Sequence, residues 1–561
     1  MNKKQQSISS KLELLRLELK REKYDYYIIP HTDPHGSEFL SSHWEQIAWI
    51  SGFTGSAGTL IIGLKEAYLW TDSRYFLQAS KQLANTGIQL QKEGLQESIL
   101  IDDFIKRKSS IGATFAICSL LNHFKYPSSV ILADDLINRI WTNRPSLPTT
   151  PIFIYDECYA GEKTTDKIAR VREEMALKGY STLVLYKLDD IAWLLNIRGR
   201  DIPQSPVVIS FFILNLRSAD FYIEKAKLNP KTKQYFKELN ITIHPYKEID
   251  SKYLTSSYYR NSLVDELKAI KNKTEVEGFR NAMKVDGVVM VRFLIWLERN
   301  LNFGKITELG VAKKLHELRA KNKLNDGDSF TTIAGYGPNG AIVHYSATLE
   351  SNATLQPKGL LLVDSGGQYL NGTTDLTRTI SLGKITKQMQ KDYTAVLRGT
   401  INLARIIFPI GTRGSQLDIL ARMAIWQEGT NYLHGTGHGV GHYLNVHEGP
   451  QNIRITENAI SLKPGMITSD EPGIYRVGSH GIRIENLLLV KKCNKTGYNN
   501  FYEFETLTLC PIDTKPIRLN KMQPEELEYF NNYHQMVYKK LSPLLIEEEK
   551  LWLKEATKPI G

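Results

Sequence analysis

The segment YLHGTGHGVGHYLNVHEGP, residues 432–450, holds His434, His438, His442 and His447, out of 13 histidines in the whole chain. Gly435, Gly437, Gly439 and Gly441 are interleaved with them. His434 and His438 have the i, i+4 spacing of a zinc-protease helix, but that helix needs a glutamate between its histidines. Here Thr436 and glycines fill the gap, and each glycine inside a helix costs roughly 1 kcal/mol relative to alanine. The segment therefore reads as a loop or irregular strand whose backbone approaches something closely. Its histidines need partners from elsewhere in the chain.

The partners on offer are acids. In GLLLVDSGGQYLNGTTDLTRTI, Asp364 ends an apolar run and Asp375 precedes LTRTI. This reads as two strands joined by a Gly- and Asn-rich turn, with both carboxylates brought together. Beyond the histidines, Glu471 lies in MITSDEPGIY beside the Pro472-Gly473 turn, and Glu485 lies in the apolar strand pattern GIRIENLLLV. Taken singly, each has a plain structural reading: Asp364 as a turn cap, Glu485 as a partner of Arg483 or Arg378, a histidine as a satisfied core residue. A buried carboxylate without a counter-charge is costly, however, and four that converge repel one another. One imidazole with four carboxylates makes a site for two borderline-to-hard divalent ions. Two ions about 3.5–4 Å apart share a water and lower its pKa toward neutrality, which serves hydrolysis.

The elements that must position these residues begin at NKTEVEGFRNAMKVDGVVMVRFLIWLERN, where Thr274 and Glu277 make a capping-box pattern. Phe279, Met283, Met290, Phe293 and Leu297 follow as a helical stripe. Strand-like and helix-like segments then alternate to about residue 510. The remainder, about 511–561, reads as a helical appendage whose apolar residues Tyr529, Phe530, Tyr533, Met536 and Val537 pack on their own domain or on a second subunit. In the first half, KLELLRLELKREKYDYYIIP and KIARVREEMALKGYSTLVLY share a helix-then-strand layout. Each is followed by an IAW triplet (Ile47-Ala48-Trp49 and Ile191-Ala192-Trp193) and then by β-rich sequence. Two related α/β domains are expected, joined in the Pro-rich stretch TNRPSLPTTPIF.

Size and composition agree. A chain of 561 residues exceeds one hydrophobic core and implies two to four domains. With 42% hydrophobic and 23% charged residues it reads as an ordinary soluble protein. The charged amphipathic N-terminus has no apolar core of a secretory signal, and no apolar run reaches membrane-spanning length. Cys118, Cys158, Cys493 and Cys510 are scattered, which argues against a disulfide framework and fits a reducing compartment. The net charge of +11 raises nucleic acid as a partner, but acids and bases alternate without a basic block, so it reads as solvated surface.

At the residues quoted above, the chain resembles the pita-bread metallopeptidases, and within them the aminopeptidase P group of three-domain cytosolic type. SGFTGSAGT, WTDSRYFLQA, GPNGAIVHYSAT, VDSGGQYLNGTTDLTRT, HGTGHGVGHYLNVHEGP, SDEPGIY and GIRIEN occur in the group's order. The resemblance implies an α/β (α+β) chain, with two creatinase-like N-terminal domains (1–150 and 151–268) and a pita-bread catalytic domain (269–561) that includes the appendage. It implies that Asp364 holds one metal, that Asp375 and Glu485 bridge, and that His438 and Glu471 hold the second. Glu471 would also act as general base, with His344 and His447 at the substrate carbonyl. His434, Tyr475 and Arg483 would lie in or beside the substrate site. His442 departs from the group's pattern and is expected to face solvent or to stand behind the ligands. The activity implied is hydrolysis, by a hydroxide bridging the two metals, of the bond between an N-terminal residue and a following proline. Prolidase and methionine aminopeptidase share the ligand set and are the rivals; a non-catalytic binding module is the alternative from another class. Carboxylate-rich ligation favours manganese, with zinc or cobalt also compatible. A cytoplasmic homodimer acting on peptides with proline second, without nucleic-acid or membrane partners, completes the expectation.

Overall fold

The computed structural model describes residues 7–121, 126–250, 253, 263–495, 497 and 499–561, so the first six residues of the N-terminal pattern lie outside it. The chain gathers into two compact bodies, one of residues 1–154 and 164–264, the other of residues 155–163 and 265–561.

The first body contains the same construction twice. Helix Ile8–Glu22 is capped by Ser7 and buries Leu12, Leu15 and Leu19, the one-sided spacing that a packed helix requires. Strand Tyr26–Pro30 follows, then the short helix Gln46–Ser51, which carries the first IAW triplet. Strand Thr59–Gly63 pairs antiparallel with the first strand, Ala67–Thr71 pairs antiparallel with the second, and Gln89–Lys92 lies parallel to the third. The second copy runs through helix Thr164–Leu177, strand Thr182–Leu185 and helix Leu188–Leu194 with the second triplet. It then adds strands Ser210–Asn215, Ala219–Ile223 and Thr242–Pro245 with the same senses of pairing. The two sheets have the same order, and the first is extended by strands Phe115–Cys118 and Val130–Ala133. The expected duplication is therefore present as topology.

The second body also repeats a plan: two helices followed by antiparallel sheet. Helices Lys273–Asn300 and Glu308–Arg319 precede a three-stranded sheet of Ile333–Tyr336, Leu360–Ser365 and Leu376–Ser381. Helices Lys387–Ala404 and Gly414–Trp426 precede a six-stranded sheet that contains Gly437–Gly439, Ile467–Asp470 and Asn486–Lys492. The predicted stripe of the long helix is buried at all five positions, Phe279, Met283, Met290, Phe293 and Leu297. Its cap differs from the expected one. Asn272, not Thr274, is the N-cap, and Glu275, not Glu277, closes the box, so the helix starts two residues earlier. Asparagine caps at least as well as threonine, and the Asn272 side chain also donates to the Ala160 carbonyl at 2.8 Å.

The C-terminal appendage takes the first of its two options. Helix Pro524–Leu541 buries Phe530, Tyr533 and Val537 in a cluster with Val291, Tyr393 and Ile482, while Tyr529 and Met536 pack at the edge. Full burial of such side chains contributes roughly 1.5–3 kcal/mol each. Arg378 donates to the Tyr533 hydroxyl at 2.8 Å, joining the appendage to the strand that follows Asp375.

Candidate metal centre

Strands Leu360–Ser365 and Leu376–Ser381 pair antiparallel with Asp364 opposite Thr377. Asp375 stands two residues before Thr377 and so shares the face on which Asp364 and Thr377 stand. Thr377 donates from Oγ1 to Glu485 Oε2 at 2.7 Å, and its carbonyl accepts from the Glu485 amide at 3.1 Å. The two strands thereby position three of the four acids.

The histidine loop enters as the three-residue strand Gly437–Gly439. Its glycines are obligatory for space: a Cβ on Gly437 would lie 1.9 Å from the Ser469 carbonyl oxygen, and one on Gly439 would lie 2.2 Å from that of Glu448. One serine then ties the loop to the fourth acid. Ser469 Oγ accepts from the His438 amide at 2.9 Å and donates to Glu471 Oε1 at 3.1 Å. The Glu471 amide in turn donates to the Thr436 carbonyl at 2.8 Å.

His438 Nδ1 is 2.9 Å from the Gly439 carbonyl, so this nitrogen carries the proton and Nε2 keeps its lone pair. Nε2 lies 3.4 Å from Glu471 Oε1 and 3.6 Å from Asp375 Oδ2. One donor atom from each of Asp375, His438 and Glu485 lies within 4.8 Å of the other two.

The electrostatics of this cluster are strained. Burial, reinforced by the charges of Asp364 and Glu471, pushes Asp375 well above the usual carboxylate range. Burial and then Asp375 do the same to Glu485. Burial raises Glu471 to about 7, with Asp364 adding to the rise while Arg483 and His447 oppose it. Asp364 Oδ2 accepts from Arg483 Nη2 at 2.6 Å, but its buried Oδ1 has no hydrogen-bond partner. Arg378, the other candidate counter-charge, spends itself on the Glu485 and Cys510 carbonyls, Asn486 and Tyr533. An orphaned carboxylate oxygen, three acids forced toward neutrality and an imidazole lone pair among them fit divalent cations.

A polar chain leads away from the acids. The antiparallel hairpin Gly473–Arg476 and His480–Arg483 carries both Tyr475 and Arg483. Arg483 Nη1 donates to the Tyr475 hydroxyl at 2.7 Å, and that hydroxyl lies 2.9 Å from His434 Nε2. Tyr432 flanks the His434 ring with centroids 4.8 Å apart. The His447 ring stands edge-on to His438 at 4.3 Å. His344 follows Val343, whose carbonyl lies 3.4 Å from Arg483 Nη2.

Of the two placements expected for His442, facing solvent or standing behind the ligands, its burial excludes the first. It is buried, with Nε2 3.0 Å from the Asn371 carbonyl and Nδ1 3.4 Å from the Tyr155 hydroxyl. Asn371 turns the chain between the short strands Gly367–Tyr369 and Gly372–Thr373, on the way from Asp364 to Asp375. The ring is accommodated because Gly278 opposes it; a Cβ there would lie 2.7 Å from His442 Nε2. Sequence reasoning passed over Ser469 and Thr377 as well. The available signal was spacing, since each lies near the end of a strand two residues from an acid just beyond it, where extended backbone keeps both on the same face.

Comparison with known proteins gives four matching family profiles. They are a Creatinase/Prolidase N-terminal domain at 11–126, a second such domain at 143–265, metallopeptidase family M24 at 277–492, and the C-terminal region of that peptidase family at 500–560. A probable Xaa-Pro aminopeptidase P of Coprinopsis cinerea is 38% identical over 98% of both chains. One of Tuber melanosporum is 38% identical over 98% of this chain and 99% of its own. The crystal structure of X-prolyl aminopeptidase from Caenorhabditis elegans, described as a cytosolic enzyme with a di-nuclear active site, superposes with a TM-score of 0.95. It is 34% identical over 99% of this chain and 100% of that one.

Proposed function

From the premise that this chain belongs to metallopeptidase family M24, and within it to the Xaa-Pro aminopeptidases P, we propose that it removes the first residue of peptides whose second residue is proline. It is a metal-dependent hydrolase. The observation that carries the reading is the convergence of Asp375, His438 and Glu485, with Glu471 3.4 Å from His438 Nε2 and a buried, orphaned oxygen on Asp364, whose other oxygen binds Arg483. Asp364, Asp375, His438, Glu471 and Glu485 would hold two divalent ions, and the carboxylate-rich donor set favours manganese. Such ions supply a water activated at neutral pH and an electrophile for the scissile carbonyl.

The chain's own residues do the rest. Glu471 takes a proton at its carboxylate and passes it to the leaving nitrogen. His447 and His344 donate to the oxygen that gains charge, work worth about 3–4 kcal/mol per well-placed donor. Arg483 offsets the charge of Asp364 and orients the Tyr475 hydroxyl, and Tyr475 fixes the ring of His434 against the proline. A bond to proline is a tertiary amide with fixed φ, which a shaped pocket recognises better than a general aminopeptidase site does.

No helix among the described residues is long and apolar enough to cross a membrane. A cytoplasmic homodimer remains our reading of where and how the enzyme works. Phe530, Tyr533 and Val537 of the appendage are committed to their own core, and among the exposed apolar residues we assign pairing to the row Ile419, Met423 and Trp426 along one face of helix Gly414–Trp426. The test of function is metal analysis of protein purified without chelator, together with hydrolysis of Arg-Pro-Pro. We expect two ions per chain, turnover lost with chelator and restored by Mn2+. Turnover that persists in metal-free protein would overturn the reading.

A further inference from the structure

Helix Glu308–Arg319 begins with a glutamate that is fully buried, and none of the hydrogen bonds to its carboxylate comes from the four acids or the histidine of the metal centre. All of its hydrogen bonds come from one segment, residues 336–353. Oε1 accepts from the Tyr336 amide at 2.8 Å, and Asn339 Nδ2 lies 3.0 and 3.1 Å from the two oxygens. Oε2 accepts from the Tyr345 hydroxyl at 2.8 Å and the Ala353 amide at 2.9 Å. The carboxylate thus ties together the two ends of the segment and two points along its length. His344 lies between those points, immediately before the buried Tyr345.

The opposite side of the segment rests on the hairpin that carries Arg483. A Cβ on Gly481 would lie 1.7 Å from the Gly340 carbonyl oxygen, so the two backbones are in contact. Arg483 Nη2 also reaches the Val343 carbonyl at 3.4 Å. The segment is therefore held between a carboxylate and a hairpin, with His344 in the held stretch.

We propose that Glu308 is a positioning residue of this enzyme, holding segment 336–353 in the shape that presents His344 to the substrate carbonyl. The inference rests on the reading that His344 serves the reaction. The chemistry of the clamp explains why the residue is an acid. Four donors converge on it, and a carboxylate accepts at both oxygens, whereas a glutamine of the same size turns a donor toward donors.

The test is a double-mutant cycle of Glu308→Gln and His344→Ala, with metal content, kcat and KM for Arg-Pro-Pro, and hydrogen exchange at the Tyr336 and Ala353 amides. We expect Glu308→Gln to keep its metals, to exchange faster at both amides, and to lose roughly 10- to 100-fold in kcat with KM changed less than about threefold. In the His344→Ala background the same change should cost almost nothing further, because it acts through that histidine. Losses that multiply, or a kcat within about twofold of the parent despite faster exchange, would overturn the proposal. If Glu308→Gln does not fold, Tyr345→Phe, which removes one of the four donors, replaces it in the cycle, with a smaller loss and the same non-additivity expected. His344→Ala with unchanged kcat would instead overturn the role of His344, and this inference with it, while leaving the metal-dependent activity intact.

Discussion

His438 and His447 stand on one loop with ring centroids 4.3 Å apart, yet they are given different work. His438 directs its Nε2 among the acids, so His438→Ala should lower metal content and activity together. His447→Ala should leave the metals bound while kcat falls by roughly 10²–10³-fold. Metal content measured beside kinetics separates the two, and a His447→Ala protein that has lost a metal would show the roles to be misassigned. His442 belongs to neither class. Buried against Asn371 and Tyr155, it should cost about 1–3 kcal/mol of stability on truncation while the folded fraction keeps its activity, as denaturant unfolding and specific activity will show. The sequence made the five candidate ligands legible because acids in apolar strand patterns and histidines among glycines are costly placements that need a reason. It could not place His442, because the ring is covered by Asn371, Tyr155 and Phe279 and given room by Gly278, all far away in the chain.

At the scale of elements, two pieces of the site, the strands of the acid pair and the hairpin of Tyr475 and Arg483, are held from behind by buried charge. Asp286, on the long helix, accepts from Arg319 Nε at 2.7 Å, Tyr369 at 2.8 Å and Thr374 at 3.0 Å, and Arg319 also reaches Ser365. Ser365 follows Asp364 and Thr374 precedes Asp375, so this ion pair braces both strands of the acid pair. Replacing Asp286 by asparagine leaves Arg319 buried with only Asp328, at 3.9 Å, as counter-charge and should cost about 3–5 kcal/mol in denaturant unfolding; a loss below about 1 kcal/mol would contradict the bracing role. Asp392, on helix Lys387–Ala404, does the same for the Tyr475 and Arg483 hairpin. Burial pushes it up, but hydrogen bonds from Arg476, His480 and Gln388 prevail and hold it at about 2, below the ordinary 3.8. A depressed carboxyl stabilises the fold at higher pH, so the advantage over Asp392→Asn should be complete above about pH 3.8 and vanish as the pH falls to about 2. An advantage independent of pH across that window would rule this out. None of these braces was legible in advance, since Asp286, Arg319 and Asp392 lie in ordinary helical patterns and acquire partners only through tertiary contact. The shifted cap of the long helix has a similar cause: Asn272 and Thr274 both suit the position, and Asn272 also has the Ala160 carbonyl to bind.

For the whole molecule, the duplicated layout in the first half was readable because helix, strand and triplet recur in order, and both copies fold with the same strand order. Which face would pair with a second copy was not readable, because a helical stripe of apolar residues looks the same whether it meets its own core or a partner. With Phe530, Tyr533 and Val537 buried, we expect a dimer that dissociates on Met423→Asp, seen by sedimentation at micromolar concentration; a parent chain that sediments as a monomer would remove the dimer altogether. The activity is the larger claim. It is tested most directly by kcat/KM for Arg-Pro-Pro against Arg-Pro, measured on protein carrying two Mn2+ ions per chain. An Xaa-Pro aminopeptidase should release arginine from the tripeptide with a kcat/KM at least about tenfold higher, a transition-state difference of about 1.4 kcal/mol. Preference for the dipeptide would make the chain a prolidase, and release from neither would contradict the central claim.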